Sequence, residues 1–183
     1  MLGPVLRGEK CTLRPPRKED LTTYQRWFED VDVMRFLPGI GPFSDAQEEA
    51  WFKRAGEDPS GVTWAIEVDG RAVGTTGIHG IDHRHGTGES GIVIGEKSLW
   101  RKGIASEAIA LRTRFAFREL NLHKVRSRTY MENEGSKRAL QKAGYRQSGV
   151  LREEFYRDGR WHDVWMGEVL RDDWERVQKE LEK

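Results

Sequence analysis

The chain has 183 residues, a formal net charge of +1, 33% charged and 37% hydrophobic residues, and seven Trp and seven Phe. That is one ordinary domain with enough apolar mass for a sizeable core, too aromatic and too nearly neutral to remain disordered. A general nucleic-acid binder would carry a clear basic excess, and the single cysteine, Cys11, excludes an internal disulfide. No apolar run follows the first charges, and no stretch of about 18 apolar residues occurs, so neither a signal peptide nor a membrane span is expected. The expectation is a single cytoplasmic domain spanning 1–183.

The elements read in order as follows. Lys10 to Arg14 is a short strand candidate followed by Pro15-Pro16. Lys18 to Asp30 reads as a helix, with Leu21, Tyr24 and Phe28 on one stripe. Val31 to Pro42 reads as a loop, and Ser44 is an N-cap for a helix over Asp45 to Arg54. Trp64, Ile66 and Val68 alternate, Asp69-Gly70 follows and Val73 resumes, which predicts a hairpin. Glu89 to Ile94 is a strand, and Gly103 to Leu120 is the longest helix, with Ile104, Ala108, Leu111 and Phe115 on one face. His123 to Tyr130 is a strand whose basic residues imply one wet face. Asn133 caps a helix that ends at Gly144. A second D-G turn, Asp158-Gly159, joins strands at Val150–Arg157 and Arg160–Leu170. A two-residue turn pairs Arg157 with Arg160 and Phe155 with His162. It puts Leu151, Phe155, Val164 and Met166 on the expected core side and sets Glu154 opposite Asp163. A helix over Asp172 to Leu181 closes the chain. This order predicts an α+β, or mixed α/β, fold with a mostly antiparallel sheet and one parallel crossover through the long helix.

Two glycine-bearing stretches could grip a phosphate. Gly86-Thr87-Gly88-Glu89-Ser90-Gly91 spells G-x-G-x-x-G, but a dinucleotide fingerprint must follow a strand and open a helix. Here a β-branched run, Ile92-Val93-Ile94, comes next, so the stretch reads as a hairpin connection. Arg101-Lys102-Gly103-Ile104-Ala105-Ser106 meets the requirement, lying between a strand and the long amphipathic helix. The first turn of that helix offers unpaired N–H groups, Gly103 and Ala105 leave room for oxygens, and Arg101 and Lys102 add charge. On spacing alone the same residues are equally a surface turn, and the ligand is open between CoA and a nucleotide. The absence of G-x-x-x-x-G-K-[ST] argues against a P-loop.

Residues and order together resemble a known group. Trp100-Arg101-Lys102-Gly103-Ile104-Ala105-Ser106-Glu107-Ala108 resembles the acetyl-CoA loop of the GNAT superfamily of N-acetyltransferases. Asn133-Glu134-Gly135-Ser136-Lys137-Arg138-Ala139-Leu140, ending Lys142-Ala143-Gly144-Tyr145, resembles its later N-x-x-S-x-R-x-L…K-x-G-[FY] segment. Ile81 to His85 and Glu154 to Trp161 are similar to the RimJ/RimL-like ribosomal-protein alanine acetyltransferases and to the spermidine acetyltransferases. The family usually has Gln or Arg where Trp100 stands and often a second glycine where Ala105 stands; both substitutions occur in the RimJ/RimL-like branch.

The resemblance implies a GNAT-like acyl-CoA N-acyltransferase fold, with a V-shaped splay between the family's strands 4 and 5, here Glu89–Ile94 and His123–Tyr130. It implies acetyl-CoA as the cofactor, with no metal. Its pantetheine arm would lie along Ile92, Val93 and Ile94, its diphosphate on the N–H groups of Arg101 to Ser106, with Asn133, Ser136 and Arg138 alongside. An alkylammonium, with a pKa of about 10, must lose a proton before it attacks a thioester, so a base is needed. Glu89 is the candidate base, the N–H of Val93 or Ile94 the oxyanion donor, and Ser136 the candidate acid. Spermidine acetyltransferases carry a tyrosine acid where Leu140 stands, and the RimL-like branch a glutamate where Phe155 stands, flanked here by Glu153 and Glu154. The acceptor side would carry Trp27, Glu29, Asp30, Asp32, Phe36, Glu48, Glu49, Glu154, Tyr156 and Trp161, acidic and aromatic groups that suit a cationic amine.

The expected partner is a small-molecule or peptide amine acceptor, with a homodimer left open as an assembly, and no membrane or general nucleic acid. The amine could be a protein N-terminus, a polyamine, an amino sugar or an aminoglycoside. The other readings are a non-catalytic acyl-CoA-binding module and an RNA-associated regulator. The second would use the basic run Arg112, Arg114, Arg118, Lys124, Arg126 and Arg128, which otherwise faces the 3′-phosphate of CoA or solvent. His83 and His85 lack partners for a metal, and Cys11 reads as a packed thiol.

Overall fold

The computed structural model describes residues 1–181. An eight-stranded sheet runs in the order β1-β2-β3-β4-β5-β6-β8-β7. The strands are β1 (Leu6–Arg7), β2 (Thr12–Arg14), β3 (Val62–Val68), β4 (Arg71–Asp82), β5 (Thr87–Ile94), β6 (Lys124–Tyr130), β7 (Arg146–Arg157) and β8 (Arg160–Leu170). The helices are α1 (Leu21–Phe28), α2 (Val31–Met34), α3 (Asp45–Glu57), α4 (Ile104–Arg118), α5 (Glu134–Lys142) and α6 (Arg171–Leu181). The β5–β6 pair is parallel and is connected through α4, while the other pairs are antiparallel. This is the mixed α/β sheet the sequence predicts, and the G-x-G-x-x-G stretch is the β4–β5 connection and the start of β5.

Local chemistry explains the elements. Both D-G turns carry left-handed backbone at both central residues, Asp69 and Gly70, then Asp158 and Gly159. That geometry matches the twist of the strands it joins. Ser44 and Gln47 form a reciprocal capping box at the start of α3. One face of the sheet carries the main core, where Ile78, Trp64 and Trp165 meet Ile104, Ala108, Ile109 and Phe117 of α4. The other face carries a smaller cluster of Leu21, Tyr24, Trp27 and Val33, with Val93 and Trp51 packed against it.

Two expectations need correction, and one strand was not foreseen. Val31 to Pro42 is not all loop, because Asp30 accepts the N–H of Asp32 and caps the short helix α2. β1 is a two-residue strand with too little pattern to be read. In the last hairpin, Trp165 and Val169 enter the main core instead of Val164 and Met166. The face with Leu151, Phe155 and Val164 turns toward the other side, where Phe155 packs on Tyr130 at 4.9 Å. The register shifts between Leu151 and Phe155, with Glu153 at φ 53° donating its N–H to Asp163 Oδ1 at 2.9 Å. This bulge spares Glu154 the like-charge pairing with Asp163.

Arg14 ties β2 to the segment before α1. Its guanidinium is 5% exposed and grips Asp20 with two hydrogen bonds of 2.7 and 2.8 Å, with Glu67 on its Nε. Burial alone would raise the Asp20 carboxyl, but the hydrogen bonds from Arg14 and the Arg17 N–H outweigh it and hold it below the usual carboxylate range. A depressed folded-state value stabilises above the unfolded value, about 4, and the benefit is lost as pH falls through the folded one. Asp20→Asn should therefore cost about 3 kcal/mol at pH 7. Urea unfolding should show that deficit shrinking as the medium is acidified toward pH 2.

Candidate active site

The head of α4 is a row of backbone donors. Arg101 (φ 64°) and Gly103 (φ 86°) take left-handed backbone, which curls the loop. Among the described residues none accepts from the N–H groups of Arg101, Gly103, Ile104, Ala105 or Ser106. Unpaired N–H groups at a helix start, with the positive end of the helix dipole behind them, form an anion site. Trp100 folds back, its Nε1 donating to the Ile94 carbonyl at 2.8 Å.

A residue that the sequence reading did not single out completes this loop. Glu107, in the first turn of α4, accepts the backbone N–H groups of Glu9, Lys10 and Cys11 at 2.8–2.9 Å. Burial would raise its carboxyl, but these hydrogen bonds win and lower it. They pin the turn before β2 onto the helix and bring the Lys10 ammonium over Gly103, where an added Cβ would lie 3.0 Å from Nζ. Lys10 is remote from the loop in sequence, so only the fold reveals it. The donor row, the bare Gly103 and the exposed Lys10, Arg101 and Lys102 fit a diphosphate.

Beside this loop the sheet opens. β5 and β6 pair only from Thr87–Ser90 to Lys124–Ser127, and then both run on without pairing to each other. The vertex is locked by two crossed bonds, Ser90 Oγ to the Arg126 carbonyl and Ser127 Oγ to the Ser90 carbonyl, each 3.0 Å. Gly91 is the first residue past the vertex, and a Cβ placed on it would meet nothing within 4 Å. Ile92, Val93 and Ile94 follow, each half-buried. Glu89 shares a face with Gly91 and Val93, and its Oε1 accepts from Arg128 Nε at 2.7 Å. Arg128 also lies 3.6 Å from Glu154, so one guanidinium gathers two of the carboxylates singled out in the sequence.

The remaining candidates divide. Asn133 caps α5 by accepting the Ser136 N–H at 3.1 Å, which leaves Ser136 half-buried in the first turn and Arg138 exposed. Phe36 packs on Tyr130 at 5.7 Å. Tyr156 and Trp161 stand edge-to-face, 61% and 57% exposed, at the hairpin tip. Arg157 lashes that tip to the carbonyls of Met34, Leu37 and Gly39. Asp32 pairs with Lys97, as does Asp30. Trp27 is a packing residue at 8% exposure, lying so close to Gly95 that no Cβ fits there. Glu48 is also buried, and burial pushes its carboxyl up. The basic run is no single patch. Arg112 is wholly inside, Arg118 covers Trp174, Lys124 pairs with Glu168 and Arg128 with Glu89. The Cys11 thiol is pushed up to about 12 by burial and by Glu107, which leaves it a packed group and not a nucleophile. Among the described residues no cluster could hold a metal ion, and no helix is long and apolar enough to cross a membrane.

Comparison with known proteins agrees with this geometry. The profile of the acetyltransferase (GNAT) domain matches residues 10–146. The N-acetyltransferase YoaA of Bacillus subtilis (strain 168), described as uncharacterized, is 28% identical over 167 residues, 88% of this chain and 93% of that protein. The spermidine N(1)-acetyltransferase of Escherichia coli (strain K12) is 27% identical over 152 residues, 83% and 81% of the two chains. A crystal structure of spermidine N-acetyltransferase from Vibrio cholerae, in complex with CoA and spermine, superposes with a TM-score of 0.83 at 24% identity, covering 92% and 99%. Mycobacterium smegmatis RimJ, in complex with CoA-disulfide, does so with a TM-score of 0.81 at 21% identity, covering 97% and 92%. At these identities the two structures speak for the fold, and the profile, matching well over half of the residues, speaks for descent: the chain belongs to the GNAT family of acetyltransferases.

Proposed function

We propose that the protein transfers the acetyl group of acetyl-CoA to a primary amine, by direct attack with both molecules bound. The observation that carries this reading is the row of unpaired N–H groups at the head of α4, set beside a sheet that opens after Ser127. Acetyl-CoA supplies an activated acyl thioester. The loop Arg101 to Ser106, with Lys10, holds the diphosphate, and the free edge of Ile92 to Ile94 holds the pantetheine arm as an added strand. The N–H of Val93 or Ile94 donates to the carbonyl oxygen as negative charge grows there. Glu89, whose Oε2 has no protein partner among the described residues, takes the ammonium proton, directly or through water. Ser136 serves the sulfur side.

The acceptor lies over the bare Gly91, with Glu89 and Glu154 near its nitrogen and Phe36, Tyr156 and Trp161 at the rim. Acidic and aromatic groups favour a cation, which supports a polyamine, a protein N-terminus, an amino sugar or an aminoglycoside. Within the family we place the chain near the RimJ/RimL-like and spermidine acetyltransferase branches, which the names of its relatives support. One buried, unpaired cysteine accords with a cytoplasmic protein.

Gly103→Glu puts a carboxylate where phosphate oxygens belong. Its affinity for acetyl-CoA by calorimetry should fall at least about 100-fold, the cost of a like charge against an anion. Circular dichroism should remain native, because only the loop is strained, by about 1–2 kcal/mol. Lys10→Ala should weaken binding about 5- to 10-fold, and less at high salt. Unchanged affinity in both variants would remove the cofactor site. In a thiol-release assay over an amine panel, the wild type should free CoA only with an amine present, and Glu89→Gln should lower kcat about 100-fold. CoA binding without release for any amine would leave a non-catalytic acyl-CoA-binding module. Retention of RNA at low salt would point to the RNA-associated regulator.

A further inference from the structure

Arg112 carries a positive charge inside the molecule with no counter-charge among its partners in the described residues. It lies on α4 with no exposed surface, and none of its partners is a carboxylate. Nη1 donates to Thr76 Oγ1 at 2.6 Å and to the Gly91 carbonyl at 2.7 Å, and Nη2 to Ser90 Oγ at 3.0 Å. Nε has no partner. The next groups out are also neutral. Tyr145 Oη is 3.3 Å from both Ser90 Oγ and Thr113 Oγ1. A guanidinium keeps its proton in proteins, so a full positive charge sits in a dry interior surrounded by hydroxyls and one carbonyl. Burying such a charge unpaired is costly, and an apolar side chain of similar size would pack there at less cost.

The place of this charge gives it a use. Ser90 is the last residue of β5 that pairs with β6, and Gly91 is the first beyond the vertex. Arg112 therefore backs the strand at the point where the cleft opens, on the side away from Glu89. The N–H of Val93 lies two residues further, roughly 7 Å along the strand. In a low-dielectric, water-excluded interior a fixed charge acts over that distance with little screening.

We infer that Arg112 is a positioning residue for acyl transfer, whose charge, acting through the Gly91 peptide and across β5, stabilises negative charge that appears in the cleft. The inference rests on the transferase reading above. The ammonium first gives one proton to the Glu89 side; as the freed amine nitrogen bonds to the acyl carbon and the carbon–sulfur bond breaks, the electron pair leaves on sulfur, and the second nitrogen proton, shed as the amide forms, ends on that thiolate. Negative charge thus arises on the carbonyl oxygen and then on the thiolate. On the cleft side Arg128 is shared between Glu89 and Glu154, which leaves one net negative charge there and no free cation among the three. Arg112 is the fixed cation behind them.

The test reads the thiol of bound CoA, by the ultraviolet absorbance of its thiolate as pH is raised. In the wild type the bound thiol should ionise about one unit below free CoA. Arg112→Gln should return it by about that amount, a tenfold change in the ionisation constant, with the dissociation constant for CoA changed less than about threefold. Arg112→Lys, which keeps the charge, should retain most of the shift. In turnover, Arg112→Gln should lower kcat about 10- to 100-fold, less than loss of a direct oxyanion donor, with KM for acetyl-CoA nearly unchanged. A bound thiol that ionises like free CoA in the wild type overturns the inference, and this holds even if the glutamine variant fails to fold. Equal ionisation in folded wild type and Arg112→Gln also overturns it. If the wild-type chain does not bind CoA at all, the transferase reading falls with it, whereas binding with an unshifted thiol removes this inference alone.

Discussion

The constraint on which the rest depends is the early end of one strand pairing. β5 and β6 are neighbours in the middle of the sheet, yet their ladder stops at Ser90 and Ser127. Central strands seldom leave backbone donors and acceptors unpaired, because a buried unpaired group costs as much as a lost hydrogen bond. Here the separation is enforced from both sides. β5 stays paired with β4 as far as Ile94, with Ile92 and Ile94 packed against the main core and Trp27 against Gly95 from the other face. β6 is drawn away from it, its last residue Tyr130 clasped by Phe36, Phe155 and His162. The crossed serine bonds stop the separation from running further into the sheet. A slot with a free strand edge results, which suits the extended, amide-bearing arm of the proposed ligand.

The donor row at the head of α4 raises an electrostatic difficulty that the fold resolves. An acid in the first turn of a helix normally neutralises the positive end of the dipole and would compete with a bound anion. Glu107 is such an acid. Its carboxylate is instead occupied by three N–H groups from the turn before β2. The same contact carries Lys10 to Gly103, so a group that would weaken the anion site becomes the anchor for one more cation. The hydrogen bonds that depress the Glu107 carboxyl and the presence of Lys10 over the loop are two results of one contact.

Much of this was legible in the sequence. The D-G turns fixed two hairpins, because left-handed backbone at adjacent positions leaves few alternatives, and the strand–loop–helix spacing drew attention to Arg101 to Ser106 while leaving it open between an anion loop and a surface turn. The vertex was legible only through resemblance, since nothing in the run Glu89 to Ile94 says where a partner strand leaves it. Lys10 and Arg112 escaped for opposite reasons. Lys10 belongs to the loop through a contact between distant parts of the chain. Arg112 lies in a run of surface-like charges, and its charge argued for the surface although it stands four residues after Ala108 and three before Phe115, beside the apolar stripe. The hairpin face was misassigned because β8 is apolar on both sides, with Val164 and Met166 on one and Trp165 and Val169 on the other, so alternation does not say which side meets the main core. Trp27 looked like a ligand aromatic but fills the space that Gly95 lacks a side chain to fill.

If the cleft works as proposed, selectivity for the acceptor would rest on a difference between its two sides. The Gly91 floor and the vertex belong to the rigid middle of the sheet, so the reacting end of the site is fixed by backbone. The rim is built differently. Tyr156 and Trp161 ride on a hairpin tip held to the α2–α3 connection by Arg157 alone among the described side-chain bonds there, and its acceptors are backbone carbonyls. Carbonyl acceptors place no demand on the side chains of that connection, so its sequence is free to vary without loosening the tip. Rim chemistry is thereby separated from the acyl-transfer geometry: the part of the site that must recognise one amine among many can change while the strand edge, the donor row and the buried guanidinium behind Gly91 stay where they are.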